Sequence, residues 1–335
     1  MKEVEGKGNR YRSEYLSHDG ARRLVYTVTS LLFALALIIA VFSAAKKNSA
    51  MSDPLPQSTA SDWVGVERAL GKAGSIQPGD VYKVSLPRDD LRVTVNGVQL
   101  KPAFALGSWV AFKKMGNDAM VMGDLVLTED EVTPVMSKLQ EGDIQQTALH
   151  NHVLHESPRV MYMHISALGD AVKIAKALHD ALALSGTPFT TPAASGSPGP
   201  VSGIDTKQRD QIMGQTGKLN GVVHQFSIPR VEKIMDDGME VPPAMGVATA
   251  INFQPTSGNK AAITGDFVLI ANEVNPVIKA LRGNGIEVTA LHSHMLDESP
   301  RLFFMHFWAN DDAQKLARGL RAALDKMNIV KAPPK

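Results

Sequence analysis

The sequence predicts an α+β protein: two tandem homologous α+β domains, the product of an internal duplication, behind one N-terminal transmembrane helix. Three observations predict it. Residues 24–45 carry no charge, a long segment of the chain repeats at an offset of 142 residues, and each copy mixes strand-like with helix-like spacing of apolar residues. At 335 residues, 44% of them hydrophobic and 21% charged, the chain has core-forming material for about two domains. Lys+Arg number 35 and Asp+Glu 34, so no global basic field exists to attract nucleic acid. The absence of cysteine rules out disulfides, a thiol nucleophile and thiolate-held metal. A metal would have to be held by His, carboxylate or Met.

Residues 1–23 read as a cytoplasmic tail with six Lys/Arg (Lys2, Lys7, Arg10, Arg12, Arg22, Arg23), whereas only Lys46 and Lys47 follow the apolar segment before Arg68. Leu24 to Ala45 is long enough, at about 1.5 Å per helical residue, to cross a bilayer core of about 30 Å. By the positive-inside rule the tail stays in the cytoplasm and the remainder is exported, to a periplasmic or extracellular position. The rival reading is a secretory signal cleaved near Ser43-Ala44-Ala45, against which the apolar stretch is longer than usual.

A linker at residues 46–61 precedes the first repeat (62–184). A Pro/Gly/Ser-rich linker at 185–203 precedes the second (204–328), and 329–335 form a tail. Ser85-Leu86-Pro87-Arg88 recurs as Ser227-Ile228-Pro229-Arg230, Gly123-Asp124 as Gly265-Asp266, and Glu131 to Val135 as Glu273 to Val277. Thr147 to His164 and Thr289 to His306 share 12 of 18 residues without a gap. Each copy is expected to begin with a short helix (Trp63 to Leu70; Lys207 to Met213). In the first copy, strands at Val81 to Leu86, Phe104 to Phe112 and Met120 to Leu127 follow. Helices at Glu129 to Leu139 and Asn272 to Leu281 carry early prolines, Pro134 and Pro276. Ile144 to His152 and Val160 to Ala167 are expected to pair as an antiparallel hairpin. A closing helix follows, capped by Asp170 and apolar at Ala171, Ile174, Ala175, Leu178 and Leu182, with Ala313, Leu316, Ala317, Leu320 and Leu324 as its counterparts.

Seven of the ten histidines fall in residues 150–164 and 292–306, each reading H-x-H-x-x-x-E-S-P-R-x-x-x-M-H. Residues two apart on a strand project from one face, so His150 with His152, and His292 with His294, can offer two imidazoles to one ion. His164 and His306 on the returning strand are candidate third ligands, if the register turns them to that face. Glu156 and Glu298 are candidate fourth ligands, or general bases if the site is hydrolytic. A divalent metal is the expected cofactor, zinc ahead of copper, although Met161, Met163, Met295 and Met305 would suit a soft ion. The alternative for all these histidines is a hydrogen-bonded loop scaffold. Arg159 and Arg301 are candidate anion ligands, with an ion pair inside the loop as the blander role. His155, which Asp297 replaces in the second copy, reads as a solvated loop residue, Pro158 and Pro300 as structural, and Gly123-Asp124 and Gly265-Asp266 as turns, with an acidic ligand role as the outlying alternative.

The paired motifs A-L-H-N-H-x-L-x-E-S-P-R-x-x-x-M-H and A-L-H-S-H-M-L-D-E-S-P-R-L-F-F-M-H resemble the LppY/LpqO family of bacterial envelope proteins over residues 60–184 and 203–328. The resemblance implies a secreted or membrane-attached protein. This sequence has no lipobox cysteine, so its attachment falls to residues 24–45. The spacing H-x-H-x-x-x-E also looks like a first cupin motif, but no Gly-rich second motif follows; the carbonic-anhydrase H-x-H strand is an analogy of geometry only. Three functions stay open. One is an extracytoplasmic metal-binding protein with a His-rich site in each repeat. Another is a metal-free envelope module for an anionic small molecule or a protein partner, and the third is a metal-dependent hydrolase. No H-E-x-x-H or G-x-S-x-G motif occurs to favour the hydrolase.

Overall fold

The computed structural model describes residues 58–189 and 205–331. The expected anchor at 24–45 and most of both linkers lie outside these residues. Among the described residues no helix is long and apolar enough to cross a membrane.

In the first repeat, a 3-10 turn runs into helix α1 (Val64–Leu70), and strands β1 (Ser75–Gln77) and β2 (Val81–Pro87) follow. A small hairpin, β3 (Thr94–Val95) and β4 (Val98–Gln99), leads to the short helix α2 (Pro102–Ala105). Then come β5 (Gly107–Met115), β6 (Asp118–Thr128), α3 (Glu129–Glu141), β7 (Gln145–His150), β8 (Glu156–Ser157), β9 (Val160–Gly169) and α4 (Ala171–Leu182). The second repeat follows the same plan, opening with α5 (Thr206–Met213), β10 (Lys218–Asn220) and β11 (Val223–Pro229). Its hairpin is β12 (Ile234–Asp236) with β13 (Met239–Val241), and the rest is β14 (Ala248–Pro255), β15 (Lys260–Leu269), α6 (Ala271–Gly283), β16 (Glu287–His292), β17 (Phe303–Asp312) and α7 (Ala313–Leu324). Each repeat thus holds a six-stranded antiparallel sheet, ordered β1-β2-β5-β6-β9-β7 and β10-β11-β14-β15-β17-β16.

Period-two alternation sorts the strand residues into two faces. Val121, Leu125, Leu127, Met163 and Ile165 join Val135, Leu139, Leu178 and Leu182 of the helices in one core, and Phe267, Leu269, Met305, Phe307, Leu316 and Leu320 build its counterpart. The opposite faces meet each other. Met120 and Met122 pack with Val268 and Phe304, and Val126 and Tyr162 pack with Ala262 and Trp308. The result is helices, sheet, sheet, helices, with both sheets back to back. The repeats also exchange covers. Gln225 Nε2 donates to Ala103 O of α2 (2.7 Å), Asn252 Nδ2 to Phe104 O (3.0 Å), and Lys83 Nζ to Ala244 O in the matching turn of the second repeat (3.0 Å).

Three local expectations change. Phe104 belongs to α2, because Pro102 at a helix start and the turn at Leu106 delay the strand to Gly107. Pro134 and Pro276 sit inside their helices rather than in the first turn. The Gly-Asp pairs lie in mid-strand, not at turns: Gly123-Asp124 in β6 and Gly265-Asp266 in β15. Glycine is required there by close approach, since a Cβ at Gly265 would collide with the Ala250 carbonyl, and one at Gly123 would come within 2.9 Å of the Trp109 carbonyl.

The repeated Pro-Arg and Glu-Val motifs are one buried device. Arg88 Nη1 donates to Val126 O (2.8 Å) and Glu131 Oε2 (2.7 Å), and Glu131 Oε2 also accepts from Thr128 N (2.8 Å) at the start of α3. Arg230, Val268, Glu273 and Ile270 repeat it. A second device crosses between the copies. Thr147 is the extra residue of a β-bulge in β7, Thr289 that of β16. Thr147 Oγ1 donates to His294 O (2.6 Å) and Thr289 Oγ1 to His152 O (2.5 Å).

Arg88→Met leaves two carboxylates beside a buried apolar chain and should cost about 3–5 kcal/mol of unfolding free energy, read by urea denaturation. The double variant Thr147→Val/Thr289→Val should lose about 1 kcal/mol per bond. An unchanged urea midpoint for the double variant would show that the crossed bonds carry no stability.

Candidate metal centre

The histidines reach the inter-sheet face by strand register. Across β6 and β9, Asp124 lies opposite His164; across β7 and β9, Ala148 lies opposite His164 and His150 opposite Tyr162. His164 therefore shares a face with His150 and Asp124, and the rings of His150 and His164 lie 5.1 Å apart. The second repeat has the same register, with Asp266 and Ala290 opposite His306 and Phe304 opposite His292. His152 and His294 follow the ends of β7 and β16, in the loops that the crossed threonine bonds hold.

Because the two faces meet, six histidines form one cluster. His150 stacks on His292 with centroids 3.6 Å apart, His152 on His306 at 3.9 Å, and His164 on His294 at 3.6 Å. The repeat maps the first pair onto itself and exchanges the other two, so a pseudo-twofold axis passes between His150 and His292. The ligand atoms of His150, His292, His294 and His306 lie within 4.8 Å of one another, as do those of His150, His152 and His164. A His-rich group of this kind can hold a metal ion.

Tautomers can be argued from partners. Nδ1 of His150 faces Asn151 O (3.2 Å), that of His292 faces Ser293 O (3.4 Å), and that of His306 faces Gly265 O (2.8 Å). A carbonyl only accepts, so these Nδ1 atoms donate and each Nε2 presents a lone pair, the arrangement that orients metal-bound imidazoles. All six Nε2 atoms are buried without a hydrogen-bond partner, as are Oδ1 of Asp124 and Oδ1 of Asp266. Asp124 stands 3.9 Å from His152 Nε2 and 3.8 Å from His164 Nε2; Asp266 stands 3.7 Å from His294 Nδ1 and 3.9 Å from His306 Nδ1.

Burial governs the charges. It pushes His150 down to about 3, with the neighbouring His292 ring adding to the effect, and His292 down to about 4. Burial and neighbouring imidazoles push His152, His164, His294 and His306 well below the ordinary histidine value. The rings are therefore neutral at neutral pH, the form that binds metal. Burial also pushes the Asp124 carboxyl up to about 7 against the pull of Lys83, and Asp266 well up with Asp124 adding.

Neither set of converging ligand atoms includes a carboxylate; Asp124 and Asp266 stand beside the imidazoles, whereas the two glutamates are held elsewhere. Glu298 is buried and committed to the loop, accepting from Leu302 N (2.8 Å) and Arg301 Nη1 (3.1 Å). Glu156 lies in β8 opposite Val95, with Oε2 buried and unpartnered, and burial pushes it up to about 7. Arg301 folds onto its own loop through Leu296 O, Glu298 and Ser293 Oγ. Arg159 is exposed, with Glu129 3.8 Å away rather than Glu156 in its loop. It borders a pocket of about 240 Å³ with Asn151, His155, Glu156 and Met161. His155 is exposed at φ 60°, and Pro158 and Pro300 each follow a cis peptide bond in the loop. Met163, Met295 and Met305 are core residues.

The sequence reading placed Asp124 and Asp266 at turns, with a ligand role only as the outlying alternative, and it missed Thr147 and Thr289 as clasps of the cluster. The repetition of Gly-Asp, with no turn composition around it, was the available signal. No curated protein matches the chain. Among solved structures, a trimeric bacterial microcompartment shell protein, PduB, is similar at 12% identity over 79% of this chain and 98% of that chain, with a TM-score of 0.22. EtuB from Clostridium kluyveri is similar at 9% identity over 78% and 96%, with a TM-score of 0.19. Likenesses this weak carry no argument here. Residues 64–184 and 207–326 each match the family described as Domain of Unknown Function (DUF1259), and the chain belongs to that family, carrying its domain twice.

Proposed function

We propose that this protein is a membrane-anchored, extracytoplasmic metal-binding protein whose two repeats jointly hold divalent metal, zinc by preference, in the histidine cluster between their sheets. The supporting observation is the convergence of six buried, unpartnered Nε2 atoms. Each such nitrogen costs about 1–3 kcal/mol if nothing satisfies it, and a bound ion satisfies several at once. Imidazole and carboxylate donors suit zinc; of the methionines, Met163 and Met305 lie in the helix-side cores, and Met295 lines the void beside His164 and His294. Binding is preferred to hydrolysis. The void beside His164 and His294 measures about 10 Å³, room for about one water, and Glu298 is spent on its loop. The export of the repeats rests on the charge asymmetry around residues 24–45 and on the LppY/LpqO resemblance.

A second reading, a metal-free envelope module for a small anion, is favoured by one feature, the exposed Arg159 beside the pocket of about 240 Å³. Elemental analysis separates the two. The purified chain should carry stoichiometric metal, and the variant with His150, His152, His292 and His294 changed to Ala should lose it. A metal-free, equally folded pair would favour the second reading.

The buried titratable groups also set an acid dependence for the metal-free protein. The six histidines bind protons below their ordinary value of 6.5 when unfolded but stay neutral when folded until about 4 (His292) or about 3 (His150). Their contribution is complete above 6.5 and is lost as pH falls toward those values. Asp124 and Glu156, each raised to about 7, and Asp266 act oppositely, favouring the fold at low pH and losing that contribution as pH rises through about 7 for Asp124 and Glu156. Six groups outweigh three, so the metal-free Tm should be lower at about pH 5 than at about pH 7.5. A higher Tm at the acid end would contradict these burial effects.

A further inference from the structure

The cluster holds more donors than one ion can use. The ligand atoms of His150, His152 and His164 lie within 4.8 Å of one another, with Asp124 3.9 Å from His152 Nε2 and 3.8 Å from His164 Nε2. The second repeat brings His292, His294 and His306 together, with Asp266 3.7 Å from His294 Nδ1 and 3.9 Å from His306 Nδ1, on the other ring nitrogen from the one that Asp124 approaches in the first repeat. Each repeat therefore owns three imidazoles and one carboxylate, and both carboxylates keep a buried oxygen without a partner. A single four-coordinate ion on His292, His294, His306 and Asp266 would leave His150, His152, His164 and Asp124 buried and unsatisfied.

Resting on the metal-binding reading above, we propose that the centre is dinuclear: one divalent ion on His150, His152, His164 and Asp124, and a second on His292, His294, His306 and Asp266. Eight donors make two four-coordinate sets, which is the closed arrangement of zinc held for structure or storage. The two half-sites are unequal. Lys83 Nζ lies over the ring of Trp109, whose strand position is opposite Asp124, whereas Gln225 and Ala250 hold these places in the second repeat. The positive charge near Asp124 opposes an ion there, so the second-repeat site fills first.

The test is metal stoichiometry of the full chain, loaded with excess zinc, desalted and measured by elemental analysis beside Asp124→Asn and Asp266→Asn. Two zinc ions per chain are expected, falling to one in either variant. Substoichiometric zinc should occupy the set that Asp266→Asn removes. Copper(II) in the unsubstituted chain gives a readout independent of variant folding, because two ions this close produce the half-field resonance of a coupled pair. One ion per chain with no half-field signal, or two ions retained by both variants, overturns the dinuclear assignment and leaves metal binding standing. No ion at all overturns both.

Discussion

Burying imidazole is the constraint around which the interior of this protein is organised. Neutral histidine carries one donor and one acceptor, and leaving either unmet inside a protein is costly. Here backbone carbonyls take the Nδ1 protons of His150, His292 and His306. The acceptor nitrogens all turn inward to a place where no protein donor waits. The apolar contacts around them, Met120 and Met122 with Phe304 on one side and Val126 and Tyr162 with Trp308 on the other, shield them from bulk solvent. Hydrophobic packing of the two sheets and the chemistry of the histidines are therefore one problem, and the metal proposed above is an answer to both parts.

Duplication makes this arrangement accessible. One repeat presents a sheet face carrying His, Asp and apolar side chains, which is a poor surface to expose and a poor one to bury alone. Two copies related by a pseudo-twofold axis bury that face against itself, so residues at equivalent positions meet, as His150 and His292 do. The same operation doubles every other device: the bulge threonines each hold the other copy's histidine loop, and the short segments before β5 and β14 each cover the other copy's sheet. The buried Arg88–Glu131 and Arg230–Glu273 pairs lie within their own copies and tie a helix start to a strand end.

Where the copies differ, the difference is informative. Arg301 and Glu298 close the second loop on itself, whereas Arg159 and Glu156 leave the first loop open beside a pocket. Lys83 stands where Gln225 stands in the other sheet, placing a cation near only one of the two aspartates. The shared residues keep the centre, and the divergent ones change its surroundings.

The sequence by itself determined the duplication, the α+β alternation within each copy and the pairing of the histidine strand with its return strand. Each of these is local or periodic: identity at a fixed offset, apolar spacing, and an Asp ahead of a helix. It also singled out all six clustered histidines by their repeated motif, although the strand reading of H-x-H holds only to His150 and His292, where β7 and β16 end, and His152 and His294 lie in the loops that follow. Only the tertiary structure decided that His164 and His306 turn to the face of His150 and His292, since a one-residue slip would have reversed them and the bulges at Thr147 and Thr289 set the register. Only it decided that the two sites are one, because contact between residues 142 positions apart leaves no trace in spacing. Asp124 and Asp266 looked like turn residues for the same reason: what places a carboxylate among imidazoles is the neighbouring strand, and a linear pattern does not say which strand that is.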